Sequence, residues 1–176
     1  MDRKALILDA ARQLTLDRGV VPSLNETASR AGVSKGGLLH HFPSRAALVQ
    51  GLAVAALEKL DAIMVAASTE GRAAETWLRI SVPAGEDVAL FRALAVAHRA
   101  VETPGDDIAA ASREAIARWE AMIQDDTGDA TRARVIRLVG DGLAANVVAG
   151  IETAPTEAEL DALIDALVRR PGRDRR

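Results

Sequence analysis

The chain has 176 residues, 49% of them apolar but only 2% aromatic, and no cysteine. This length supports one globular body, or a small head on a larger body; disulfides and thiolate chemistry are excluded, and no apolar stretch reaches the roughly 18 residues that span a bilayer. The net charge of −3 divides unevenly: residues 1–50 hold seven Lys and Arg against four Asp and Glu, residues 51–168 ten against twenty, and residues 169–176 five against one.

Gly and Pro punctuate an otherwise helical pattern. A first helix fits residues 2–18, with Ala5, Leu6, Ala10, Leu14 and the stem of Arg18 near one face and Gly19 as its stop. Ser23-Leu24-Asn25-Glu26 forms a capping box that opens a short helix ending at Gly32. A third short helix begins with Ser34 as N-cap and ends near Phe42. Pro43-Ser44 opens a long helix over 45–69, stopped by Gly71. Further helices fit 72–81, 87–101 and 106–123, the last followed by a polar turn over 125–129. A long apolar helix covers 130–149, and a second capping box at Thr156 and Glu159 opens a final helix through Arg169. Ala, Leu and Arg dominate, and no strand pattern stands out. The expected fold is therefore all-α.

The chemistry concentrates in residues 22–45, PSLNETASRAGVSKGGLLHHFPSR. Two short helices meet at Ala31-Gly32-Val33-Ser34, where Gly32 suits the left-handed residue of a tight helix-helix turn. Leu24, Ala28, Ala31, Leu38 and Phe42 supply a small shared core, with Val33 as a plug. A short, buttressed helix with a polar first turn is what a DNA major groove admits. Ser34 and Lys35 sit where free amides and the helix dipole favour phosphate. Gly36 and Gly37 are poor helix formers, and their benefit is steric: the backbone can approach DNA closely. His40 and His41 can donate to phosphate or a base edge, and being ~100° apart on a helix they share one metal ion poorly.

The stretch AGVSKGGLLHHFPSRAAL resembles the helix-turn-helix signature of the TetR family of bacterial regulators, in a variant similar to multidrug-responsive efflux repressors. Sequence likeness covers about residues 5–50, with an echo in 134–150. Three positions depart from the family pattern, the first being Gly37, where many members carry Thr. Leu39 stands where a phosphate-binding Tyr is common, and Thr27 where an apolar core residue is usual. Leu39 is suited instead to a thymine methyl. The resemblance implies a helix-turn-helix domain over 1–46 and, joined by the long helix, a ligand-binding and dimerisation domain over 47–170. About nine helices and a disordered Arg-rich tail over 171–176 complete the expectation. It implies that Ser34, Lys35, Gly36, Gly37, Leu39 and His40 face the groove, and that Ser23, His41 and Arg45 anchor phosphates. It further implies a cytoplasmic homodimer on a palindromic operator, released by a small-molecule effector.

The body carries its own dimerisation signal. Ile136, Val139, Gly140, Leu143 and Val147 line one side of the eighth helix, while Val135, Leu138, Gly142 and Asn146 fall on other faces. A helix apolar nearly all round must be covered on both sides. Leu160, Leu163, Ile164 and Leu167 stripe the ninth helix, so two helices per subunit suit a four-helix interface. Met64, Trp77, Phe91, His98, Trp119 and Met122 have two readings, as core or as the lining of an effector pocket. No nucleophile motif, metal-ligand spacing or phosphate loop appears, so no enzyme activity, cofactor or metal is expected. Two alternatives stand beside a repressor. One is an activator or ligand-independent DNA-binding protein of the same fold. The other is a helical interaction protein or enzyme with a degenerate head.

Overall fold

A computed structural model describes residues 2–83, 85–99 and 106–169, with side chains except at 86, 95–99 and 106–108. The described residues form nine α-helices and no strand: α1 (Arg3–Arg18), α2 (Leu24–Ala31), α3 (Lys35–His41), α4 (Arg45–Thr69), α5 (Ala73–Ile80), α6 (Glu86–Arg99), α7 (Asp106–Thr127), α8 (Ala130–Ala149) and α9 (Glu157–Leu167). No helix among them is long and apolar enough to cross a membrane. The chain divides into two compact units, Met1–Leu57 with Gly85–Ala111 and Glu58–Ala84 with Ser112–Arg176.

The first unit holds α1, α2, α3, the start of α4, α6 and the start of α7. Asp2 caps α1 by accepting from the Lys4 amide, and Gly19 ends it at φ 70°. The buried face of α1 is Ile7, Ala10, Ala11, Leu14 and Thr15. The expected stripe is thus corrected by one position: Ala5 is exposed, and Ile7 and Ala11 take the core. Ala28, Ala31, Leu38 and Phe42 join them, as do Leu48, Val49 and Leu52 of α4 and Leu90, Ala93 and Leu94 of α6. The body helix α6 therefore completes the core of the head. Thr27 is fully buried, and its hydroxyl donates to the Ser23 carbonyl at 2.9 Å. That bond satisfies the hydroxyl and makes a polar residue tolerable in this core.

The second unit holds the rest of α4, α5, most of α7, α8 and α9. Met64, Leu78, Ile123, Ile136 and Ile164 are fully buried, and the Trp77 and Trp119 rings lie 5.5 Å apart. Polar bonds join its helices. Asp126 accepts from the Ala74 amide at 2.9 Å, capping α5 from α7. Arg132 donates to the Leu167 and Val168 carbonyls at 2.6 and 2.8 Å, closing the C-terminus of α9 from α8. These bonds give the physical reason for two boundary corrections. The α7 helix runs on to Thr127, absorbing Asp125 and Asp126 from the expected turn, and α9 stops at Leu167, short of Arg169. The expected end of the sixth helix at Val101 and the tail at 171–176 lie outside the described residues.

Candidate nucleic-acid interface and effector unit

The α2–α3 corner is built by local chemistry. Ser23 accepts from the Glu26 amide, while the Glu26 carboxylate accepts from the Ser23 amide at 2.9 Å and hydroxyl at 2.7 Å. The Arg18 guanidinium also pairs with Glu26. The Ser23 hydroxyl and amide bonds, then Arg18, hold the Glu26 carboxyl down at about 2. Gly32 ends α2 at φ 66°, and the Val33 amide turns back to the Ala28 carbonyl at 3.1 Å. Ser34 then caps α3 by accepting from the Gly37 amide at 3.1 Å. Leu38 is fully buried and Phe42, closing the last turn onto the Leu38 carbonyl, is 3% exposed. These two side chains anchor one face of α3, so its opposite face stands clear of the protein.

That outer face carries most of the expected DNA contacts. Ser34, Lys35, Gly36 and His40 are exposed, and Gly37, Leu39 and His41 are half-buried. A β-carbon at Gly36 would meet nothing within 4 Å, and its φ is not left-handed. Nothing inside the protein therefore demands glycine there. The His40 and His41 rings meet edge-on at 5.2 Å, and the described residues hold no group of three side chains able to bind a metal. Two expected phosphate anchors already have internal duties. Arg45 donates to the Val21 carbonyl at 2.8 Å, and Ser23 gives its hydroxyl proton to Glu26.

The residues nominated for an effector pocket do not all converge. Trp77 and Trp119 stack in the second unit, where Met64 is also buried and Met122 half-buried. Phe91 belongs to the first unit, and the side chain of His98 lies outside the described residues. Both indoles are committed: Trp77 donates to the Arg137 carbonyl at 3.2 Å, and Trp119 to the Asp61 carboxylate at 2.9 Å. A groove of about 440 Å³ opens between α7 and α8, lined by Arg113, Ile116, Glu120, Gln124 and Arg134 among others; none of the six nominated residues lines it. Arg137, 9% exposed, also lines it and is paired to Glu120 and Asp141. Burial pushes the Asp141 carboxyl up, against the pull of Arg137.

The expected dimer face needs correction. Ile136 and Ile164 are fully buried, and Gly140, Val147 and Leu160 are buried too, within the unit's own core. The reason is that α5 packs on both α8 and α9 within the same chain, with Trp77 set against Gly140. Val139, Leu143, Leu163 and Leu167 are half-buried. The large apolar side chains that α8 leaves open are Val135 and Leu138, 44% and 51% exposed.

Sequence reasoning missed Gly51, Asp61 and the Arg137 ion cluster, and gave Gly140 the wrong role. Both glycines lie in helix interiors, where an isolated glycine signals close approach of another group. A β-carbon at Gly140 would collide with the Trp77 indole, and one at Gly51 would stand 2.6 Å from Phe42 Cε1. Within the ion cluster only the Arg137 and Asp141 pair, at i,i+4 on α8, is visible in the sequence, and Glu120 joins from α7.

A sequence model described as "Bacterial regulatory proteins, tetR family" matches residues 7–52, and one described as "Tetracyclin repressor-like, C-terminal domain" matches residues 60–170. Among solved structures, the chain is similar to a member of the TetR family from Streptomyces coelicolor A3. The two share 25% identity and a TM-score of 0.64, over 95% of this chain and 98% of that one. No curated protein matches it significantly.

Proposed function

The chain belongs to the tetR family of bacterial regulatory proteins, and from that premise we propose that it is a homodimeric repressor released from a palindromic operator by a small-molecule effector. One observation carries the DNA-binding part of this reading. The α3 helix buries Leu38 completely while exposing Lys35, Gly36 and His40 side by side. In this assignment Lys35 and His41 contact phosphates, as do the free donors of Arg45 and the Ser23 region. His40, Leu39 and the glycine pair meet the base edges. Phosphate contacts supply affinity and salt dependence, and base contacts supply sequence choice.

We assign dimerisation to the outer face of α8. Val135, Leu138, Gly142, Ala145 and Ala149 recur there at helical spacing, and Ala162 and Ala166 of α9 are exposed as well. Small residues let two such faces approach closely. Effector binding is assigned to the second unit, and the repressor mechanism requires only that the effector prefer the state with low operator affinity. The α4 and α7 helices each belong to both units, so both carry the chain from one to the other.

The test is a mobility-shift and footprinting assay on DNA upstream of the protein's own gene. A protected palindrome is expected, with affinity falling steeply as salt rises. Lys35→Ala should weaken binding to all sequences, and His40→Ala should change the preferred sequence. Absence of any specific complex at moderate salt would sink the proposal.

A further inference from the structure

Gly51 lies inside α4, in the part that belongs to the head, and its backbone is not left-handed. The helix does not need glycine there, and glycine is among the weakest helix formers. The reason for its presence lies across the interface with α3. A β-carbon at position 51 would stand 2.6 Å from Phe42 Cε1, 3.3 Å from Phe42 Cζ and 3.1 Å from Leu8 Cδ2. Phe42 is the C-cap of α3, directly after His40 and His41, and is 3% exposed. Its ring lies against Gly51 of α4, and Leu8 of α1 closes on the same point.

We infer that Gly51 is a positioning residue for the DNA-reading helix: the side chain it lacks lets Phe42 seat against α4, and that seat sets the depth and tilt of α3. The inference rests on the reading of α3 as the DNA-reading helix. Carbon atoms pack best at about 3.5 Å or more, so a methyl at position 51 would push the ring back by about 1 Å. The ring cannot yield freely, because Leu38 and Leu48 in the same core are fully buried. The displacement therefore passes to the backbone at the end of α3. Recognition geometry has to be held within about 0.5 Å, so base contacts fail first and phosphate contacts, which carry no sequence information, fail less.

The experiment starts with a duplex that the wild-type protein selects from a random-sequence pool. If the wild type selects none, the reading of α3 fails, and that failure is separate from the present one. Given a selected duplex, Gly51→Ala should bind it about tenfold more weakly or worse, the scale of a lost base contact. Binding to a scrambled duplex at low salt should change little. Leu94→Ala, which truncates the same core on α6, is the structural control and should keep its selectivity below its melting temperature. The shorter side chain in the double variant Gly51→Ala/Phe42→Leu should restore much of the selectivity. Wild-type selectivity in folded Gly51→Ala overturns the inference, and so does failure of the double variant to recover it. If Gly51→Ala does not fold, Phe42→Leu alone decides: lost selectivity supports the role of the ring seat, and unchanged selectivity in the folded variant overturns it.

Discussion

The head and the second unit bury similar apolar side chains but are fastened differently. In the head, most side-chain hydrogen bonds join near neighbours, as in Ser23 with Glu26, Ser34 with Gly37 and Asp2 with Lys4, and Arg45 to the Val21 carbonyl is the longer-range exception. The second unit has local bonds too, but it adds several between helices far apart in the chain: Asp126 to Ala74, Arg132 to Leu167, Trp119 to Asp61, Arg137 to Glu120. The difference teaches where each fold is specified. The head is written into local turn and cap chemistry over a core that is apolar apart from two self-satisfied threonines. The second unit depends on pairs that form only once its helices have met.

Core truncation should break this comparison most sharply. Leu38 is fully buried at the centre of the head, so Leu38→Ala is expected to cost about 2–5 kcal/mol. The two tryptophans of the chain, Trp77 and Trp119, both lie in the second unit, so their emission reports on that unit alone. Leu38→Ala should abolish DNA binding and lower helicity while leaving the indole emission near wild type. A red-shifted emission would show that the second unit needs the head's core, and the contrast drawn above would fall.

Glycines separate the two regions next. Gly140→Ala drives a methyl into the Trp77 indole. Overpacking costs about 1–3 kcal/mol, against about 1 kcal/mol gained from better helix propensity. A net loss of stability is expected, with the emission of Trp77 altered because its bond to the Arg137 carbonyl is disturbed. Gly36→Ala in the head adds a carbon that meets nothing, so stability should rise by up to about 1 kcal/mol. Thermal melting of both variants checks the opposite signs. Equal shifts in one direction would mean that neither glycine is held by its surroundings.

Asp61 tests whether the long-range bonds of the second unit matter individually. It accepts from the Trp119 indole at 2.9 Å and from Arg118 at 3.1 Å. Asp61→Ala leaves a part-buried indole donor unpaired, a loss of about 1–3 kcal/mol. Asp61→Asn keeps an acceptor for the indole and loses only the pair with Arg118, which is half exposed, so about 0.2–1 kcal/mol is expected. Urea melts that rank the two variants equally would show that the indole bond contributes nothing.

The same contrast explains what the sequence made legible. The bounds of α2, α3, α4 and α8 follow from Ser23, Gly32, Ser34, Gly71 and Gly150, each acting within one turn of itself. The outer face of α3 was equally readable, because Leu38 and Phe42 declare the inner one. The end of α7 was not, because Asp126 looks like a turn former until Ala74, 52 residues away, gives it an amide to cap. The inner face of α8 was misassigned for a related reason. Apolar periodicity shows that Ile136, Gly140 and Val147 must be covered, but not whether α5 or a second chain covers them. Gly51 and Gly140 were visible as glycines in helices; their partners were not.

The smallest expected effect compares the two capping boxes, one in each unit. Ser23 with Glu26 and Thr156 with Glu159 have the same bonds, and both carboxyls are held below their ordinary value by them. Among the described residues only Glu26 also has an arginine, Arg18. A carboxyl whose pKa is lowered on folding lends stability fully above its unfolded value, here 4.5, and that stability is lost as the pH falls towards the folded value of about 2. The α2 box should therefore weaken between pH 4.5 and 2 and stay intact at neutral pH. Carboxyl carbon shifts followed by NMR should place the Glu26 midpoint near 2, and Arg18→Ala should raise it. Arg18→Ala should leave Glu159 where it is, because its shift arises from Thr156. A Glu26 midpoint at the ordinary 4.5 in the folded protein would mean that the box is open in solution, and that the start of α2 is held by its apolar face alone.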